Sequence, residues 1–310
     1  MSTVLSQVSG ARKNLSTLSG LKKREALLGY LFIAPTLLGI LIFTAGPVLV
    51  SIGLGMFKWD VFNSPEYIGL QNFVRLFHDD EAIASFLNTI KFLVMAVSLN
   101  IIVGVLLAVG VNNVRTKALK NYLRMAFFMP LISGGTIAIV MSYLFHKELG
   151  AVNYYLGLLG IPHVPWLTSP YWSIITVVIV SVWQSTGYNF ILFTGALQNV
   201  SRDILDAADV DGAQGLRRLW YVTLPMISPI ILFAAVTGAM GALQVFDIPY
   251  ILTRGGPGDS SRTVVMVVQQ AAFKNLEIGY GAAVAVILFV LIMIVTLIQM
   301  KVSKGWVFYQ

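Results

Sequence analysis

The feature that most constrains this chain is a set of six long apolar runs. A helix needs about 20 mostly apolar residues to cross a bilayer core. Runs of that kind lie near Ala26–Phe57, Ser85–Val111, Met125–Phe145, Tyr171–Leu197, Thr223–Ile251 and Ala282–Lys301. Only 11% of the residues are charged, against about 25% in a soluble domain, and the mean hydropathy is +0.79. The expected fold class is an all-α integral membrane protein of six transmembrane helices with no separate soluble domain. The first run is long enough to span with tilt or to bend at Pro35 or Pro47. Its apolar part far exceeds the roughly 7–15 residues of a cleavable signal peptide.

Charge gives the orientation. Arg12, Lys13, Lys22, Lys23 and Arg24 precede the first run. Arg115, Lys117, Lys120 and Arg124 fall in the second loop, Arg202, Arg217 and Arg218 in the fourth, and Lys301 and Lys304 at the end. Basic residues collect on the cytoplasmic side of a membrane protein, so both termini are expected there. The expected domains are a basic tail (1–25), a six-helix transmembrane domain (26–301) with a cytoplasmic loop at 199–222, and a short tail (302–310). The net charge of +7 is then a topology signal, and no nucleic-acid partner is expected. The chain has no cysteine and three scattered histidines, His78, His146 and His163, so neither a metal site nor a catalytic residue is expected.

The fourth loop carries more design than a connector needs. Ser201 is placed to cap a helix, with Asp203 in its first turn. Ala207 and Ala208 are small, Gly212 after Asp211 marks a turn, and Ala213 keeps the surface low. Leu216, Leu219 and Trp220 then recur at helical spacing, and Pro225 and Pro229 mark bends. The reading is a short helix, a glycine turn and a second helix running into the membrane. An ordinary solubilising loop with a capped helix would also have these properties.

The segment from Asp206-Ala207-Ala208 through Asp211-Gly212-Ala213 to Val222-Thr223-Leu224-Pro225 resembles the cytoplasmic EAA signature of permease subunits of binding-protein-dependent ABC importers. Asp206 stands where the family has glutamate, and Val222 where it has isoleucine. After the fifth run, "LTRGGPGDSSRT" (252–263) resembles the corresponding segment of carbohydrate-type permeases, the larger maltose permease and the first glycerol-phosphate permease among them. Read alone, Gly255-Gly256-Pro257 is a tight turn. The additional N-terminal spans and large external domain of the maltose-type subunit are missing.

The resemblance implies a type I ABC importer permease fold in a prokaryotic plasma (inner) membrane. It implies four kinds of partner besides membrane lipid: a second permease subunit, an ABC ATPase dimer, an extracytoplasmic solute-binding protein and a sugar substrate. No phosphate-binding loop occurs in the chain, so no cofactor is expected on it, and ATP and Mg belong to the partner ATPase. The implied coupling residues are Asp206, Ala207, Ala208, Asp211, Gly212 and Ala213.

In the fourth run, Ser181, Gln184, Ser185 and Tyr188 fall on one helical face. Such a stripe either glues helices together or faces a cavity that takes solute. The resemblance places sugar contacts at these four positions. It places a second group in the fifth run, where Gly238, Ala242 and Val245 are small or apolar and Gln244 is the best polar candidate. Asp247 reads either as a sugar contact or as a residue of the outer boundary. Lys91 is read as starting the second span with a snorkelling side chain. The stretch 263–277 reads as an interfacial amphipathic segment or one dipping into the outer mouth. Two other classes share a multi-span architecture. An ion-coupled secondary carrier would call for an internal repeat or charges within the spans, and a membrane enzyme for clustered carboxylates or histidines at one face.

Overall fold

The computed structural model describes residues 24–112, 114, 116–130 and 134–308. Arg12, Lys13, Lys22, Lys23 and Arg115, which entered the charge count, lie outside these residues. The chain divides into two units, residues 1–53 and 54–310. In the first, the described residues form a helix, α1, which ends at Leu54 (Arg24–Leu54). A π turn at Leu41–Ala45 sits just before Pro47. A proline inside a helix lacks an N–H and crowds the carbonyl four residues back. The wider turn lets the helix continue past Pro47 without a break.

The second unit opens with a small departure from the all-helical expectation. Two short antiparallel strands, β1 (Phe57–Lys58) and β2 (Glu66–Tyr67), pair Phe57 with Tyr67. After α2 (Gln71–Leu76) comes the long helix α3 (Asp80–Asn112). It starts earlier than the apolar run, because the Asp79 carboxylate accepts the N–H groups of Glu81 (3.0 Å) and Ala82 (3.2 Å). Asp80 and Glu81 occupy its first turn, where negative charge suits the helix dipole. Lys91 therefore lies about three turns into the helix, exposed on its surface, and does not mark its start.

The third apolar run is divided. Helix α4 (Lys117–Phe128) stops just before Pro130, and α5 (Gly134–Leu144) resumes beyond it. Helix α6 (Ala151–Leu158) is short, and α7 (Pro170–Gln198) begins on a proline that needs no N–H partner there. The fourth loop contains α8 (Arg202–Val210) and α9 (Leu216–Met226). Helix α10 (Ser228–Leu243) leaves α9 at a bend of 70°. Pro225 and Pro229 flank the bend as expected. Ser228 is buried there: its Oγ donates to Pro225 O (2.6 Å) and accepts the Phe308 N–H (2.9 Å). Next come α11 (Asp247–Leu252), α12 (Val264–Lys274) and α13 (Ile278–Ser303). Among the described residues, four helices are long and apolar enough to cross a membrane, or five with the bent pair taken as one span.

Helix α12 is not a surface segment. Val264 is fully buried, and Met266, Val267 and Ala271 nearly so. Val264, Val267 and Ala271 pack with Leu76, Leu243, Tyr280 and Val284. The run "VVMVVQQAAF" is apolar on too much of its circumference to lie half in water. The remaining core is built on α3 and α7. Phe92 and Ala96 meet Val177, Val178 and Val180, with Ala138 of α5 alongside. Val105 and Ala108 meet Phe190 and Phe193, with Ala234 of α10.

In lipid, helices associate through close packing rather than water exclusion, and small residues let them approach. A Cβ on Gly104 would stand 2.9 Å from Asn189 Cβ, and one on Gly187 only 2.3 Å from the Phe127 carbonyl oxygen. Both glycines are therefore required where α7 meets α3 and α4. We expect Gly187→Val to cost about 1–3 kcal/mol by overpacking, read as a lowered thermal unfolding midpoint in detergent. Gly195→Ala is the control on the same helix: its Cβ would meet nothing within 4 Å, so the midpoint should hold or rise.

Candidate functional site

The loop between α7 and α10 forms a capped helix followed by a second one. Ser201 Oγ accepts the Asp203 N–H at 3.3 Å, and Asp203 sits in the first turn. Helix α8 ends as the sequence reading expects, at Asp211 and Gly212. Gly212 has φ +77°, and the Ala213 N–H closes back onto Ala208 O at 2.8 Å. This is a glycine-terminated helix end whose left-handed residue carries no Cβ penalty. Asp206, Ala207, Asp211 and Gly212 are exposed, Ala213 is half-buried and Ala208 is buried. Asp203, Ala207, Asp211, Ala213 and Val222 border one shallow depression.

One brace in this loop is not evident from the sequence. Arg218 Nη1 donates to both Asp209 oxygens at 2.9 Å, tying α8 to α9. The pair is nine residues apart and meets only because the turns at Gly212 and Gly215 fold the chain back. The expected apolar face of α9 exists but points outward. Leu216 is 74% and Trp220 66% exposed, and Val210 of α8 is 87% exposed. Large exposed side chains of this kind on a polar loop mark a contact surface.

A cavity of about 390 Å³ lies among α3, α7 and α10. Ser181, Gln184, Ser185 and Tyr188 all line it. Gln244 and Asp247 do not. Helix α10 ends at Leu243, the chain turns through Gln244, and both side chains are exposed, while Val245 and Ile248 face the cavity. Asp247 instead occupies the first turn of α11. Gly238 and Ala242, the small positions expected in this run, are part of the wall. Asn100, Asn189 and Thr237 also line the cavity and were missed. An asparagine deep inside the apolar second run was the available signal for Asn100.

The structure divides the Ser181–Tyr188 stripe between the two roles left open by the sequence. Ser185 serves as glue: its Oγ accepts from Asn100 Nδ2 of α3 (2.9 Å) and donates to Ser181 O (2.6 Å). Ser181 Oγ is buried and has no hydrogen-bond partner among the described residues. A buried hydroxyl left unpaired is costly. This one borders the cavity, the space from which a partner can come.

The segment 252–263 is a fastened structure rather than a generic turn. The Gly256–Pro257 bond is cis, and Gly255 and Gly258 have positive φ. Thr253 and Ser261 share a hydroxyl contact at 2.7 Å, and Ser261 Oγ donates to Gly256 O at 2.9 Å. Asn88 of α3 donates to Asp259 O (2.6 Å), and Thr89 Oγ1 accepts the Val264 N–H (3.1 Å). Arg262 spans the joint. It reaches Asp259 at 2.6 Å, Glu81 of α3 at 2.9 Å and Gln270 of α12 at 2.7 Å. Nearby, Arg75 grips Glu277 with two bonds (3.1 and 3.0 Å), and that carboxylate raises the guanidinium pKa further above its ordinary value.

The geometry is that of a membrane helix bundle with an internal cavity, largely apolar with a few hydroxyl and amide groups, and a helical loop beyond it. Residues 100–306 match the family described as "Binding-protein-dependent transport system inner membrane component". The chain belongs to that family. This inner-membrane component covers its relatives almost end to end. It is 33% identical over 294 residues to the trehalose/maltose transport system permease protein MalF of Thermococcus litoralis, covering 92% of this chain and 97% of that one. It is 31% identical over 293 residues to the lactose transport system permease protein LacF of Rhizobium radiobacter, with 92% and 97% covered. It is 30% identical over 289 residues to the sn-glycerol-3-phosphate transport system permease protein UgpA of Salmonella choleraesuis, with 93% and 97% covered. Its fold is similar to that in the crystal structure of a bacterial ABC transporter involved in the import of the acidic polysaccharide alginate. The TM-score is 0.77 at 24% identity, with 91% of this chain and 96% of that chain covered.

Arg262 carries the joint between α3, the 252–263 segment and α12, and its side chain is only 18% exposed. Its removal strands two carboxylates. Arg262→Ala is expected to destabilise the protein by about 1–3 kcal/mol, measured as a lower unfolding midpoint. Arg75→Ala, at a pair about half exposed to solvent, should cost no more than about 1 kcal/mol.

Proposed function

We propose that this chain is the transmembrane permease subunit of an ATP-driven ABC importer that moves a sugar or sugar-like solute into a prokaryotic cell. The observation that carries the reading is the cavity among α3, α7 and α10, whose largely apolar wall carries Asn100, Ser181, Gln184 and Ser185, in a chain about a third identical to permease proteins of trehalose/maltose and lactose systems. The chain spans the membrane six times with both termini in the cytoplasm. The divided third run (α4 and α5) and the bent α9–α10 pair supply the two spans that are not single long helices. Residues 26–301 form the permease domain, between cytoplasmic tails at 1–25 and 302–310.

In this reading α8 docks into an ATPase subunit through Asp206, Ala207, Ala208, Asp211, Gly212 and Ala213. The small residues let the partner come close, and the outward Val210, Leu216 and Trp220 extend the contact. ATP and Mg are bound and used by that ATPase, and this chain holds no cofactor. Closure of the ATPase dimer pushes α8, the Arg218–Asp209 brace passes the motion to α9, and the bend at Ile227 delivers it to α10, one wall of the cavity. The cavity opens alternately to a solute-binding protein outside and to the cytoplasm. A second permease subunit completes the pathway. Ser181, Gln184, Ser185 and Tyr188 form its sugar-facing wall. Gln244 and Asp247, which lie off the cavity, are assigned to the outer rim.

Coupling through a docked element is worth about 1–3 kcal/mol, or roughly 5- to 150-fold. Gly212→Asp puts a side chain at a left-handed position and a second carboxylate beside Asp211 on the docking surface. In proteoliposomes holding the complete importer, ATP-dependent uptake should fall by at least about tenfold, within the range expected of such a coupling. Insertion and yield of the chain should stay unchanged. Wild-type uptake by this variant would refute the assignment.

A further inference from the structure

The stretch that joins α5 to α7 has no part in the transport reading, and its helix α6 has two unlike faces. Val152 packs onto the core shared by α3, α5 and α7. Asn153 beside it is buried and fastens the whole hairpin. Its Nδ2 donates to Lys147 O (2.8 Å) and Val164 O (2.9 Å), and its Oδ1 accepts the Val164 N–H (3.1 Å) and the Trp166 Nε1–H (2.8 Å). The other face carries Tyr154, Tyr155, Leu158 and Leu159, with Leu149 before the helix and Ile161 after it, all exposed. Residues 149–162 contain no charged side chain. A contiguous apolar patch held open by so firm a fold is a contact surface.

The depth of this patch follows from hydrogen bonds. Helices α3 and α7 run side by side in the same direction, because Asn100 meets Ser185 and, one turn further on, Gly104 meets Asn189. Residues 92–111 of α3 carry no charge and have the length of about 20 residues that a bilayer core takes. Lys91, exposed just before them, marks the water boundary at the end of the bundle opposite the α8–α9 loop. Thr176 precedes Ser185 on α7 by as many residues as Lys91 precedes Asn100, so it lies at the same level. Thr176 Oγ1 donates to Trp166 O (2.9 Å), and the Trp166 ring is the one that bonds Asn153. Helix α6 is thereby hung at the boundary itself. Tyrosine and tryptophan concentrate at that depth in membrane proteins. Here Trp166, Trp172 and Tyr171 contact one another in series there, and Tyr143 near the end of α5 and Tyr171 at the start of α7 are exposed like the tyrosines of α6.

The geometry points to α6 as an interfacial anchor, its Tyr154, Tyr155, Leu158 and Leu159 face laid into the lipid surface beside the bundle. The occupant of the patch is the boundary between headgroups and acyl chains, entered to about 5–10 Å. The contact is apolar and does not select headgroup charge, since the flanking cation Lys147 is already paired with Glu148 at 3.4 Å. An anchor tied to both Val152 and Trp166 holds the neighbouring ends of α5 and α7 at a fixed depth.

The chain has no cysteine, so single nitroxide labels can be placed at Tyr155→Cys, Leu158→Cys and Glu148→Cys without background. The full chain, purified with its partner subunits, is reconstituted in phosphatidylcholine vesicles. Collision of each label with oxygen, which enters lipid, is compared with collision with a water-soluble nickel chelate. The labels at 155 and 158 should meet oxygen several-fold more often than nickel, and the label at 148 the reverse. Adding phosphatidylglycerol, salt or the extracytoplasmic binding protein should leave these ratios unchanged. Preference for nickel at 155 and 158 overturns the anchor, because the patch then faces water. Poor access by both reagents, or access lost when the binding protein is added, also overturns it, because the patch is then covered by protein. Oxygen preference that appears only with phosphatidylglycerol overturns the independence from headgroup charge.

Discussion

The close approach of α3 and α7 is the contact on which the rest depends. Gly104 lets α3 settle against Asn189 and Phe193, and Gly187 lets α7 settle against the backbone of α4. In a bilayer there is no water to drive helices together, so association rests on packing, hydrogen bonds and small residues that admit close backbones. Two glycines on opposite partners do that here. Because the two helices are in register, Asn100 meets Ser185 across the gap, and the polar edge of the cavity is fixed by the same contact that builds the core.

A second set of bonds secures the opposite end of the bundle. Asn88 and Thr89 of α3 receive the segment that follows α11, and Arg262 joins that segment to Glu81 and Gln270. The cavity thus sits on a frame that is locked above by polar bonds and below by aromatic packing of Phe190 and Phe193. Helix α10 faces the cavity with small residues and leaves α9 at a bend, but it too is tied in, by Gln299 to Ala235 O and by Phe308 to Ser228.

Much of this was legible in the sequence, for identifiable reasons. Apolar length located α3, α7 and α13 within a few residues, because a lipid environment leaves few alternatives. The capped helix at Ser201 and the turn at Gly212 followed from local chemistry that acts over three or four residues. What failed was non-local. Nothing near Arg218 announces Asp209, and nothing near Asn88 announces the backbone of Asp259 171 positions away. For α12 the sequence left a surface position and one within the bundle both open, because an apolar stretch too short to span looks the same in either, and its packing excludes the surface. Gln244 and Asp247 were placed by counting along a helix that stops at Leu243, and one turn of irregular backbone carried them off the cavity wall. The divided third run shows the converse: a single proline, Pro130, interrupts a stretch whose composition alone reads as continuous.

The serine at the α9–α10 bend has a wider consequence. Ser228 accepts a bond from the backbone of Phe308 while its own proton is spent on Pro225. Phe308 and the bend between α9 and α10 are therefore fastened at one point. Any change of angle at Ile227 must either carry the segment around Phe308 with it or break that bond. Under the proposed transport cycle, the position of Phe308 would report the angle between α9 and α10.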